Sequence, residues 1–267
     1  MLRNVFLKTL RDVRGALAWW AGGLGLMCLW FVTFFPAISG AAGLQEYMES
    51  LPESFLAMFG VSETTLITTL AGFLTVELMS AWLPGLTIAF GVSIGGGLLS
   101  REEDEGSLDL LLANPVPRWR VALEKFAALI AFTVIVALAC WVGLLLGIAV
   151  INVEAGDVHL LDGMLSLTAL TLFFAALTYC LTCLKRGRGL AIGVGAGLAV
   201  VTFFTNSLAD LANLPEWSRR FSPWYYYGGD VILAEGIKWE HFGLLIGLTV
   251  LLVALGVWGF SQRDLGT

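Results

Sequence analysis

The chain has 267 residues, of which 58% are hydrophobic and only 13% charged, and its mean hydropathy is +0.83. A soluble domain carries roughly 25% charged residues, so this composition excludes one and specifies an integral membrane protein. The formal net charge of −6 gives no indication of a basic nucleic-acid surface.

The amino-terminal stretch LRNVFLKTLRDVRG places Leu2, Val5, Phe6, Leu10 and Val13 at helical spacing. Arg3, Lys8, Arg11 and Arg14 fall mostly off that stripe. The pattern predicts an amphipathic interfacial helix over 1–15, with its basic residues at anionic headgroups. Simple anchoring accounts for it as well as a further role does. No cleavable signal pattern precedes the first apolar run. That run starts near Gly15 and is about 23 residues long, enough to cross a ~30 Å hydrocarbon core.

Six spans are expected, Ala16–Ile38, Gly72–Leu99, Ala127–Ile151, Leu161–Leu184, Leu190–Asn206 and Phe242–Phe260. The fold class is therefore all-α. One transmembrane domain covers 1–267: interfacial helix 1–15, spans 16–99, cytoplasmic segment 100–126, spans 127–206, outer re-entrant or interfacial segment 207–241 and last span 242–260.

After the first span, Pro52 is set to start a short outer helix capped by Ser50, with Phe55, Leu56, Met58 and Phe59 on the outer interface. The second span contains Glu77 and Pro84, and the proline predicts a kink. A carboxylate inside the membrane is costly and marks function by default. The alternative is a span that starts deeper, near Ala81, leaving Glu77 at the outer headgroups.

The connection SREEDEGSLDLLLANPVPRWRVALEKF follows. Ser100 is placed to cap a helix, with Glu102, Glu103 and Asp104 in its first turn, where the helix dipole favours acids. Leu108, Leu111 and Leu112 share one face. Pro115 and Pro117 stop that helix, and a second one starts near Trp119 and runs into the third span. The leucines suit either a protein partner or the ends of the chain's own spans.

Further along, Gly91/Gly95, Gly143/Gly147 and Gly193/Gly197 are spaced for close helix contact. Cys28, Cys140, Cys180 and Cys183 lie in apolar runs and read as buried small residues. His159 and His241 stand alone near span boundaries. The last outer connection holds Trp217, Phe221, Trp224, Tyr225, Tyr226 and Tyr227, which fits a short helical pair dipping into the outer leaflet. Interfacial anchoring and substrate gating explain these aromatics equally well.

Of the 15 basic residues, twelve fall on the side that carries both termini and three (Arg219, Arg220 and Lys238) on the other. The positive-inside rule then puts both termini and the 100–126 segment in the cytoplasm of a multi-pass plasma-membrane protein. The sequence contains no phosphate-binding G-x-x-x-x-G-K-[ST], no H-E-x-x-H and no G-x-S-x-G. No catalytic constellation, cofactor site or metal-ligand set is therefore expected in this chain.

The 100–126 connection resembles the loop between spans two and three in membrane subunits of type-2 ABC exporters. The matching residues are Arg101, Glu102, Glu105, Gly106, Leu111, Leu112, Asn114, Pro115, Val116, Arg118 and Lys125. SLPESFLAMFG and FSPWYYYGGDVI are similar to other family segments. The resemblance implies a permease subunit that pairs with a second permease subunit, identical or not, and with two ATP-binding subunits that hold ATP and Mg. It implies that Arg101, Glu102, Glu105, Gly106, Leu108, Leu111, Leu112, Asn114, Pro115 and Arg118 form a coupling helix docking on the ATPase. It also implies that spans one, two and five flank an export path, which would bring Thr87, Thr202, Phe203, Thr205 and Asn206 near it. Two other readings stay open: a secondary transporter using Glu77, and a membrane assembly component that transports nothing.

Overall fold

The computed structural model describes residues 5–40, 50–52, 69–104, 106, 117–153, 156, 158–184, 187–209 and 215–263. Every regular element among them is a helix. Six stretches are long and apolar enough to cross a bilayer: Val5–Ser39, Leu70–Asp104, Arg118–Ile151, Leu160–Cys183, Arg188–Ser207 and Trp239–Gln262.

Helix α1 (Val5–Thr33) runs without a break through Gly15 into the first span, and α2 (Phe35–Ser39) extends it. No break separates the segment expected to be an interfacial helix from the span within Val5–Thr33. Phe6, Leu10 and Val13, the apolar stripe of that segment, pack on the core of the bundle. The partner of α1 is the third span, α6 (Arg118–Ile151). Glycine permits this contact: a side chain on Gly143 would collide with the Gly25 carbonyl, and one on Gly147 would lie 2.7 Å from Val32.

The second span is broken. Helix α3 (Leu70–Leu74), capped by the Thr69 hydroxyl, passes into a π-helical turn at Thr75–Met79. After a break at Ser80–Ala81 the chain resumes as α4 (Trp82–Gly97). The kink thus precedes Pro84, which sits in the first turn of α4, where its missing amide costs no hydrogen bond. Ser80 closes the break by bonding through both its amide and its hydroxyl to the Thr75 carbonyl, at 2.9 and 2.7 Å. Glu77 lies in the π turn, half-buried, two residues before the Met79 carbonyl that the Tyr227 hydroxyl binds. It therefore sits toward the end of its span and away from the middle.

Helix α5 (Ser100–Asp104) follows almost directly. Ser100 does not cap it. The backbone scarcely leaves the helical path at Leu98–Leu99, and the Ser100 hydroxyl donates back to the Gly96 carbonyl at 2.9 Å. Within the described residues α5 ends at Asp104, and Gly106 has φ +67°. The leucine face at Leu108, Leu111 and Leu112, together with Glu105, Asn114 and Pro115, lies outside the described residues.

The remaining spans are α7 (Leu160–Cys183), α8 (Arg188–Ser207) and α12 (Trp239–Gln262). Helix α7 contacts α4, α6, α8 and α12. The second and fourth spans are 78% and 72% buried, the fifth only 17%. The second and fourth thus form the interior, with the others around them. All four cysteines are buried and free.

Three short helices close the end away from the termini: α9 (Glu216–Arg220), α10 (Pro223–Tyr227) and α11 (Ile232–Glu235). The aromatic cluster divides here. Tyr227 is buried and its hydroxyl donates to the Met79 carbonyl at 3.0 Å, while its own carbonyl accepts from Ser166 at 2.9 Å. The Trp224 indole donates to the Ala199 carbonyl at 3.0 Å. Trp217, Phe221 and Tyr225 face outward, as interfacial anchors do.

Candidate functional site at the end that carries both termini

Charges from four elements meet where the 100–126 segment begins. Glu102 on α5 accepts from Lys8 of α1 at 2.6 Å through one oxygen, and pairs with Lys125 of α6 at 2.8 Å through the other. Lys125 is almost wholly buried, its side chain 2% exposed. A buried ammonium persists only if paired and hydrogen-bonded. Lys125 meets both conditions, because it also donates to the Leu98 carbonyl at 2.7 Å, at the end of α4.

The neighbouring Glu103 is held by the Arg263 guanidinium from the carboxyl-terminal end of α12. Arg263 also reaches the Thr182 and Cys183 carbonyls at the end of α7, at 3.3 and 3.4 Å. Arg118, at the start of α6, donates to the Arg263 carbonyl. The beginning of the connection is thereby tied to four of the spans that surround it.

Helix α1 is fixed by a second carboxylate. Glu124 of α6 accepts from the Val5 and Phe6 amides at 2.8 and 3.3 Å, and from Arg120 at 2.8 Å. A carboxylate at a helix start complements its unpaired amides and its dipole. Deeper in, the Tyr179 hydroxyl donates to the Ala122 carbonyl at 2.8 Å and joins α7 to α6.

Of the coupling residues expected from sequence, Arg101, Glu102, Gly106 and Arg118 are within the described residues. Glu102 and Arg118 enter this network. Arg101 is exposed, and Gly106 makes the turn that leaves it. Sequence reasoning missed Lys8, Glu103, Glu124 and Arg263 as members. Its one signal for them was the i,i+4 spacing of Arg120 and Glu124; the rest come together only through folding.

The expected path residues do not form one surface. Phe203 lines an apolar groove of about 270 Å³ between α4 and α8, with Gly85, Ile88 and Ala196. Thr87 is buried, donating to the Pro84 carbonyl and accepting from Thr171 at 3.0 Å. Thr202 and Thr205 bond back to carbonyls of their own helix. Asn206 lines a mixed pocket of about 260 Å³ with Arg219, Tyr225 and His241. His241 rests between the Tyr225 and Tyr226 rings, and His159 stands 3.3 Å from Asp162.

Residues 2–261 match the family described as the C-terminal domain of the multidrug efflux system permease Rv1217c. The chain belongs to this family. No curated protein matches it. Membership agrees with six apolar helices and makes the chain a multi-pass efflux permease. Within the permease, the groove between α4 and α8 opens on the least buried span, and the ionic node lies at the opposite pole from the short aromatic helices.

Proposed function

We propose that this permease is the membrane half of an ATP-driven multidrug exporter. Two copies, or this chain and a related one, form the export path. Two separate ATP-binding subunits hold ATP and Mg and dock at the 100–118 segment in the cytoplasm. Closure of those subunits moves α5, and the ionic node spreads the motion to the surrounding spans.

The observation that carries this reading is the Glu102–Lys125 pair with its neighbours. A loop that only connected two spans needs no buried ammonium. A force applied at α5 reaches α1 through Lys8, α6 through Lys125, and α7 and α12 through Arg263. Such a switch works only if the partner binds the two states differently, and the connection offers the surface for that. The fifth span supports pairing of two permeases. It is mostly exposed and apolar, and a Cβ added at Gly193 or Gly197 would meet nothing within 4 Å among the described residues.

The test is co-purification. A tagged chain should carry an ATP-binding subunit with it, and Glu105→Ala combined with Gly106→Ala should lose that subunit while the permease remains folded. Retention by the double variant, or capture of a partner without ATPase activity, would reject the docking assignment.

A further inference from the structure

A cavity of about 420 Å³ opens beside the ionic node, between α1, the end of α4 and α6. A water occupies ~30 Å³ of liquid, so the space holds a group many times larger. Its walls change character with depth. Lys8, Arg101 and Glu102 lie at the outer end of their helices, whereas Val13 and Ile94 lie a turn or more further into the spans. Asp12 and the buried Lys125 carry charge to the same depth, so the inner wall is mixed, with Val13, Ile94 and Leu98 as its apolar part; such walls suit a molecule with an ionic head and a greasy body.

The charges at the mouth do not cancel. Glu102 is shared by Lys8 and Lys125, and Asp12 stands 3.9 Å from Lys8. Those two acids offset the two lysines. Arg101 remains without an ion-pair partner among the described residues, on the cavity wall and over the bare face of Gly97, where an added Cβ would lie 3.2 Å from its Nε. An unpaired guanidinium offers a planar fork that matches two oxygens of a phosphate. Lys8, about a third exposed, can turn to the same anion.

We propose that this cavity binds a phosphate group, carried by an acidic phospholipid whose chains follow the apolar part of the inner wall. The lipid cross-braces α1 and the end of α4 beside the node. The site shares Arg101 and Glu102 with the start of the proposed docking segment, but its test needs no ATP-binding subunit, so failure of either proposal leaves the other standing.

The full chain, purified in neutral detergent, is titrated with phosphatidylglycerol or phosphatidylcholine and bound lipid is counted by native mass spectrometry. The wild type should hold one phosphatidylglycerol in preference to phosphatidylcholine. Arg101→Gln should weaken that binding about tenfold, the order expected for one charge-assisted bidentate contact, and Arg101→Lys should recover part of it. Millimolar inorganic phosphate separates the two sources of the group. No displacement assigns the site to lipid, and full displacement assigns it to the free ion. Equal binding of the two lipids, or of wild type and Arg101→Gln with unchanged helicity, would overturn the proposal.

Discussion

Glu102 holds one lysine on each oxygen, and the two contacts differ in worth. Lys8 is 31% exposed, so its pair is screened and contributes little. Lys125 is 2% exposed, and removing its counter-charge leaves a buried cation. Glu102→Gln should therefore cost about 3 kcal/mol, read as a lower Tm in detergent. Adding Lys125→Met should restore most of the loss; an unchanged Tm in the single variant would show that the pair is not structural. Tyr227 gives a second residue-scale test. Burial raises its hydroxyl above the ordinary tyrosine value of about 10, so the neutral donor to Met79 is the favoured form when folded. The unfolded chain ionises first, and the stability from this group is full below about pH 10 and lost as pH rises beyond it. Tyr227→Phe should cost about 1 kcal/mol at neutral pH and flatten that alkaline loss. An alkaline loss unchanged in Tyr227→Phe would place its cause elsewhere.

The glycine pairs show how far helix contacts can be read from spacing. All three have the same i,i+4 pattern, yet they serve different surfaces. Gly143 and Gly147 admit α1 against α6, and Gly95 would place a side chain 2.7 Å from the Ala175 carbonyl of α7. A Cβ added at Gly193 or Gly197 would meet nothing within 4 Å among the described residues. Gly143→Val should thus lower Tm and expression sharply, because the obstacle is backbone. Gly197→Val should leave the isolated chain's stability within about 0.5 kcal/mol of wild type and weaken permease pairing, measured by cross-linking. Equal effects at the two sites would contradict this division. Span positions were legible because ~20 apolar residues leave few alternatives. The π turn and the break ahead of Pro84 were not, since both depend on hydrogen bonds to Thr75 and on Tyr227 binding Met79. The unbroken α1 was also hidden, because an amphipathic stripe looks the same whether it meets lipid or α6.

Across the whole molecule, the two poles are built differently. The end with the short aromatic helices is held by buried tyrosine and tryptophan bonds to carbonyls; the end with the termini is held by ion pairs. Sequence identified Glu102 and Arg118 through the family resemblance, and positive-inside counting placed them with the termini. It could not find Lys8 or Arg263, each separated from its partner by about a third of the chain or more and joined to it only by the bundle. In the proposed exporter, motion enters the permease through the segment that leaves the node at Gly106. That glycine has φ +67° and open space around it, so a side chain there strains the turn by about 1–2 kcal/mol without disturbing packing. The direct measurement is efflux into vesicles by the permease reconstituted with its ATP-binding subunit, compared with Gly106→Val. The account predicts that ATP-dependent efflux falls about tenfold or more while ATP hydrolysis continues and the permease stays folded. Undiminished efflux in Gly106→Val at equal protein level, or efflux that needs no ATP in the wild type, would contradict it.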